Sequence, residues 1–266
     1  MIKSKGPLVS IIMNCHNGSQ FINRSVKSIK KQNYKNWEIV FWDNNSKDKS
    51  KQVIKRIKDN RIKYFFSKKF HNLYYSRNQA IKKAKGEYIC FLDVDDQWKP
   101  NKLNKQVNIM KNYDYDVIFS NYFVNYEIKK KYEKKIAKNE IVNKDITQQL
   151  LNDYFLGILT VMLNKKIFKK FRFTNKYNII GDFDFFLRLS LITKFYFIKE
   201  PLAIYNIHKS NYSSKNLHVY IKELSLWISQ NSKNLFRDYN LNNLKYLLIK
   251  LKIKNIFNHI KCFMGM

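Results

Sequence analysis

"EYICFLDVDDQW" (residues 87–98) runs from a β-branched and aromatic segment straight into three aspartates within four positions, Asp93, Asp95 and Asp96. The apolar half reads as a buried strand, and the acids fall where that strand must end. Carboxylates this close raise one another's pKa and repel unless a cation sits among them, so the strand end is a candidate cation site.

The same pattern recurs on the N-terminal side. "LVSIIM" (8–13), "WEIVFW" (37–42) and "RIKYFF" (61–66) also read as strands. Between them lie the helix-period stretches "SQFINRSVKSIKKQ" (19–32), "DKSKQVIKRIKD" (48–59) and "YYSRNQAIKKAK" (74–85). Alternation of this kind predicts an α/β fold: an open, Rossmann-like, mostly parallel sheet flanked by helices. Polar clusters close three of the four strands, "NCHNGS" after the first, "DNNSKD" after the second and "DVDDQ" after the fourth. Ligands of open α/β sheets bind at such carboxyl ends, so the three clusters are expected to converge on one crevice. Neither GxGxxG nor GxxxxGK[ST] occurs, which argues against a dinucleotide or P-loop site.

Composition bounds the rest. The 266 residues are 45% hydrophobic and 16% aromatic, enough for a packed core. The longest apolar run, "YFLGILTVML" (154–163), is too short to cross a hydrocarbon core of ~30 Å as a helix. The N-terminus reads as a first strand and not as a secretory leader, because Asn14, His16 and Asn17 follow the short apolar run. Cys15, Cys90 and Cys262 have no CxxC spacing, so neither a disulfide framework nor a zinc site is expected, and a cytoplasmic setting fits. A net charge of +31 raises the alternative of a non-catalytic polyanion- or nucleic-acid-binding protein. The lysines are scattered along the whole chain, however, and no specific nucleic-acid partner is expected.

Beyond residue 100 the rhythm loosens. "KKKYEKKIAK" (129–138) reads as a solvated face or loop. "IIGDFDFFLRLSLI" (179–192) reads as a helix with Asp182 and Asp184 at its start. The tail, residues 241–266, has five lysines, no acid and many aliphatic residues, a basic amphipathic helix. Two uses remain open for it: lying on an anionic membrane or packing on the domain. The division expected is a domain over 1–212 and a C-terminal helical extension over 213–266.

For the aspartates, two readings stand side by side. Asp93 and Asp95 suit Mg²⁺ or Mn²⁺, which often bridges carboxylates and a substrate diphosphate; the plainer reading is a cap for the helix beginning near Pro100. Taken together, "VSIIMNCHNG", "WEIVFWDNNSKDKS", "SRNQAIKKAKGEYICFLDVDDQW", "GDFDFFLRL" and "PLAIYNIHKSNYS" resemble the family 2 glycosyltransferases, inverting enzymes of GT-A fold that use a nucleotide sugar. The resemblance spans roughly residues 8–210 and rests on five blocks in order.

The resemblance implies roles residue by residue. Asn14 and His16 match the loop that binds the nucleotide base, and Asp43 and Asn44 the paired residues that hydrogen-bond it. Arg77 falls beside the nucleotide pocket. Asp93 and Asp95 match the DxD motif, the first near the ribose and the second on the metal. Asp182 matches the catalytic base, Arg188 a residue holding its helix, and His208 a histidine near the diphosphate or metal. Asp96 is left between acceptor contact and helix cap. The expected partners are a nucleotide-sugar donor, UDP-sugar favoured, and a glycan or lipid-linked acceptor of bacterial surface polysaccharide synthesis, met at the inner face of the membrane. The chain departs from the family's pattern where His16 replaces a common Tyr, Asn44 a frequent Asp, and Gly181 a frequent Glu.

Overall fold

The computed structural model describes residues 6–135, 146–209 and 211–263. Its first hundred residues follow the expected alternation: β1 (Val9–Cys15), α1 (Ser19–Lys30), β2 (Trp37–Asp43), α2 (Ser50–Arg56), β3 (Ile62–Phe66), α3 (Leu73–Lys83) and β4 (Tyr88–Phe91). A short β5 (Gln97–Trp98) and α4 (Lys102–Asn112) follow. Then come β6 (Val117–Tyr126), β7 (Lys131–Lys135), α5 (Ile146–Asn152), β8 (Met162–Asn164), α6 (Gly181–Ser190) and β9 (Phe195–Ile207). The chain ends in α7 (Tyr212–Lys215), α8 (Leu217–Asn231) and α9 (Asn242–Phe263).

One sheet runs in the order β3-β2-β1-β4-β8-β6-β9-β5, with β7 added on β6. From β3 to β4 every pairing is parallel, as the alternation demands. Beyond β4 the sheet is mixed: β8 pairs antiparallel with both β4 and β6, β6 pairs parallel with β9, and β5 returns antiparallel on β9. The parallel half is covered on both faces, so β1 is buried along its whole length and its sequence is almost continuously apolar.

The run at 129–138 is not simply a loop. Residues Lys131–Lys135 form β7, an antiparallel edge strand on β6, and positions 136–138 lie outside the described residues. Its strand state comes from ladder hydrogen bonds to β6, which a lysine-rich edge can make without burying its side chains.

The C-terminal helices share the main core. Leu224, Trp227 and Ile228 of α8, Phe236 and Leu241 of the connecting segment, and Leu244 of α9 are buried in the same cluster as Phe185 and Phe186 of α6. The stretch from Leu224 to Leu244 therefore packs into the core that carries α6. No helix among the described residues is long and apolar enough to cross a membrane.

Candidate active site

The loops after β1 and β2 are knitted together. Asn17 and Asn45 take left-handed backbone conformations, with φ of 53° and 61°, which asparagine tolerates better than most residues. The Asn17 side chain accepts the Lys47 N–H at 2.8 Å, and its own N–H donates to Ser46 Oγ at 3.0 Å. Gly18 lets this loop approach the acid turn, because a Cβ there would sit 2.7 Å from Val94 Cγ2. Val94 is thus packed inward while Asp93 and Asp95 face the crevice.

These loops carry four of the residues singled out from sequence. His16 Nδ1 lies 2.9 Å from the Asn44 carbonyl oxygen, and its ring packs 4.5 Å from that of Phe70. Asp43 is buried and accepts the Tyr64 hydroxyl at 2.8 Å and the Ser46 N–H at 2.8 Å. The Asn44 amide donates to the His71 carbonyl at 2.7 Å and accepts the His71 N–H at 3.1 Å. Asn14 is buried, and both polar atoms of its side chain lack a hydrogen-bond partner among the described residues. Such an amide costs stability unless something pairs with it.

The turn after β4 is held by backbone contacts from two sides. Arg24 of α1 donates to the Asp95 carbonyl at 2.9 Å, and the Asn206 amide of β9 donates to the same oxygen at 2.7 Å. With the backbone fixed, the three carboxylates take separate partners. Arg77, itself buried, donates to Asp93 Oδ2 at 2.7 Å. His208 Nε2 lies 3.0 Å from Asp95 Oδ2, its ring stacked 4.4 Å from Phe21. Asp96 is buried and accepts the Asn206 N–H at 2.9 Å. None of the three caps α4, whose N-cap, Asn101, makes no side-chain capping bond.

Burial, and then the neighbouring Asp93, push the Asp95 carboxyl above its ordinary range, with His208 pulling back. Burial and Asp95 raise Asp96 further. Carboxylates crowded into one turn raise one another in this way, and a divalent cation relieves such crowding.

Asp182 lies on the first turn of α6, where the helix dipole favours a carboxylate. Its Oδ1 accepts the Phe183 N–H at 2.9 Å and lies 3.2 Å from the Tyr74 hydroxyl, which also donates to the Ile179 carbonyl at 2.6 Å. Gly181 is required beside it: a Cβ would fall 2.5 Å from the Tyr74 ring, so the tyrosine occupies the room a side chain would take. Burial holds the Asp182 carboxyl above the usual range, and Arg77 opposes that shift. A half-buried carboxylate with raised basicity is suited to proton abstraction.

Sequence reasoning missed what orients this helix. Glu223 of α8 is buried, and its carboxylate accepts the N–H groups of Asn178, Ile179 and Ile180 at 2.6, 2.9 and 3.2 Å. It thereby ties down the segment leading into α6. Trp227, also of α8, donates to Asp184 Oδ1 at 3.1 Å, while Arg188 pairs with Asp184 Oδ2 at 2.8 Å and donates to the Arg172 carbonyl at 3.1 Å. The nearest signal in the sequence is that Glu223 is the single acid of α8, which does not name its partner.

One crevice of about 780 Å³ brings Arg77, Asp93, Asp95, Asp96 and Asp182 together. Asn14, His16, Asp43, Asn44 and His208 are not in its lining; they stand at the adjoining ends of β1, β2 and β9. Five carboxylates line it, Asp93, Asp95, Asp96, Asp153 and Asp182, against the two cations Arg77 and Lys250. That balance is the reverse of a polyanion groove. Among the described residues no group of three or more His, Cys, Asp or Glu side chains forms a ready-made metal cage.

The family model described as Glycosyl transferase family 2 matches residues 10–188, more than half of the chain. The chain belongs to glycosyl transferase family 2. Among its relatives, a UDP-Glc:alpha-D-GlcNAc-diphosphoundecaprenol beta-1,3-glucosyltransferase of Escherichia coli, WfgD, is 32% identical over 191 residues, 70% of each chain. The putative teichuronic acid biosynthesis glycosyltransferase TuaG of Bacillus subtilis is 29% identical over 213 residues, 78% of this chain and 82% of that one. The crystal structure of S. aureus TarS 1-349 in complex with UDP-GlcNAc matches with a TM-score of 0.70 at 16% identity, covering 91% of this chain and 71% of that one. The mannosyltransferase PcManGT from Pyrobaculum calidifontis, in complex with GDP-Man and Mn²⁺, matches with a TM-score of 0.61 at 13% identity, covering 84% and 65%. The fold is GT-A, and this glycosyltransferase has relatives in bacterial polysaccharide biosynthesis.

Proposed function

We propose that this family 2 glycosyltransferase moves a sugar from a UDP-sugar to a hydroxyl of a glycan or lipid-linked saccharide, with inversion at the anomeric carbon. The observation that carries the reading is the opening of Asp182 and the Asp93–Asp95 pair on one crevice. Asp182 takes the proton of the attacking hydroxyl, its raised basicity matched to that task. Asp93, fixed by Arg77, faces the ribose. Asn14, His16, Asp43 and Asn44 surround the base, with Asn14 offering the amide that has no protein partner among the described residues. Asp96, in the same lining, contacts the acceptor.

The donor set fits Mn²⁺ or Mg²⁺. Asp95 and His208 supply one carboxylate oxygen and one imidazole nitrogen close together, and such ions are commonly held by few protein ligands plus substrate phosphates. Bound there, the ion would neutralise charge on the departing diphosphate. The likeness to WfgD, a glucosyltransferase acting on alpha-D-GlcNAc-diphosphoundecaprenol, and to TuaG, a putative teichuronic acid biosynthesis glycosyltransferase, favours a lipid-diphosphate or cell-wall polysaccharide acceptor.

The exposed face of α9 supports a peripheral seat on an anionic membrane, which for this reading is the inner face of the cytoplasmic membrane. With 3.6 residues per turn, its positions divide into two apolar sides. Leu244, Leu248 and Leu251 pack on the core, whereas Ile249, Ile253, Ile256 and Phe257 are exposed. Exposed Lys245 and Lys252 border the outer stripe on one side, and Lys250 and Lys254 on the other. An apolar stripe between lysine rows suits an interfacial helix.

The test is incubation of the full chain with UDP-sugars, Mn²⁺ and short lipid-diphosphate saccharides. Product with the anomeric configuration reversed, lost in Asp182→Asn and in Asp95→Asn, supports the reading. A wild-type protein that binds neither UDP nor any UDP-sugar in the presence of Mn²⁺ removes it.

A further inference from the structure

The crevice continues past Asp182 into a wall built by the C-terminal helices. Tyr154, Tyr220, and Tyr246 and Lys250 of α9 line it there. Two features of this wall are unused by the donor reading.

The first is charge. Of the two cations in the lining, Arg77 is buried and committed to Asp93. Lys250 is exposed, with Nζ 4.3 Å from the centroid of the Tyr246 ring one turn back on the same helix. The five carboxylates of the lining stand elsewhere, so an anionic group on an incoming acceptor finds an exposed counter-charge at Lys250. The second is an orphaned hydroxyl. Tyr154 Oη is buried without a hydrogen-bond partner among the described residues, and its ring packs edge-on against Phe183, the residue after Asp182. Asp182 lies near enough to push the Tyr154 hydroxyl pKa up, after burial itself. A saccharide hydroxyl delivered to Asp182 would meet this donor.

The position of Lys250 adds direction. It stands where the crevice lining and the exposed stripe of α9 meet, so one helix borders both the reaction chamber and the surface offered to the membrane. We propose that α9 forms the acceptor subsite: Lys250 takes the phosphate of a phosphate-linked saccharide as its lipid leaves over the stripe, Tyr246 flanks that phosphate, and Tyr154 meets the sugar. The inference rests on the transferase reading above and adds to it the acceptor's chemistry and the residues that hold it.

The phosphate recognised could belong to an acceptor lipid or to a bilayer headgroup, and two arms separate them. In the first, the full chain is saturated with UDP and Mn²⁺ to fill the donor site, then titrated calorimetrically with geranyl diphosphate, a short prenyl diphosphate, or with geraniol. The expected result is one saturable site for geranyl diphosphate and none for geraniol. Lys250→Glu should weaken that site at least about tenfold, as loss of a charge-assisted contact does, and Lys250→Arg should retain it, with UDP affinity unchanged in both. In the second arm, pelleting with phosphatidylglycerol vesicles is compared for the same proteins. No saturable geranyl diphosphate site, equal binding of geraniol, or a Lys250→Glu effect confined to vesicles overturns the inference while leaving the transferase reading intact. Failure of UDP itself to bind removes both.

Discussion

At the strand-end wall of the crevice each acid already has a partner: Arg77 on Asp93, His208 on Asp95 and the Asn206 N–H on Asp96. At the helical wall Tyr154 keeps a buried hydroxyl without a partner among the described residues, and Tyr246 and Lys250 stand exposed. The first wall is preorganised, its side chains locked by charge-assisted bonds before any ligand arrives. The second is left to be completed by what binds. The contrast teaches that two walls of one cavity can be built by opposite rules, with Asp182 between them: Arg77 counters the rise of its carboxyl pKa, and Asp182 in turn helps push up that of the Tyr154 hydroxyl.

The comparison can be broken at four points. The largest effect belongs to Asp182→Asn, which should lower kcat by about 10²–10⁴-fold while UDP affinity stays within about twofold, read by steady-state kinetics and calorimetry. The same variant has a signed pH signature. Burial raises the Asp182 carboxyl in the folded chain, so its charge costs stability above the folded pKa, and that cost fades as pH falls through it toward the unfolded value. Asp182→Asn should therefore melt at or above the wild-type temperature at pH 7–8, with the difference shrinking toward pH 4. The activity of the wild type should have its acid limb above the ordinary aspartate value of about 3.9.

Next is Glu223→Gln. Three N–H groups lose a carboxylate acceptor, at a cost of about 1–3 kcal/mol in denaturant titrations, and kcat should fall with donor affinity retained. A normal kcat in that variant would mean that α6 holds its place without α8. Smaller again is Tyr154→Phe. It should raise the acceptor KM a few-fold, about 1 kcal/mol, and leave the donor KM alone. Because it deletes an unpaired buried hydroxyl, its melting temperature should not fall, whereas a structural hydroxyl would lower it. The smallest effect on the fold should come from Ile253→Asp with Phe257→Asp. Both side chains are exposed, so melting should be unchanged while vesicle pelleting is lost.

How far the sequence disclosed these walls follows from the distance along the chain over which each was written. The four parallel strands were readable because each strand and its crossover helix carry their own periodicity, and the polar ends fall where the apolar run stops. Asp93, Asp95 and Asp182 were legible on that basis together with the resemblance. Arg24 and Asn206 were not, since they reach the acid turn from 71 and 111 residues away. Glu223 meets α6's leading segment across 43–45 residues and sits in a stretch that reads only as an amphipathic helix. β7 escaped because pairing with β6, and not apolar alternation, makes it a strand. For α9 the sequence displayed basic amphipathicity but not that its aliphatic residues face two ways, one side to Leu244's core and one to solvent.

The carboxylate of Glu223 has a consequence for anyone who would exchange parts between such enzymes. It reaches back from α8 to the segment before α6, so a tail grafted after residue 212 would arrive with a fastening cut for a different lock. Acceptor preference should travel only when residues 178–250 move as a single cassette.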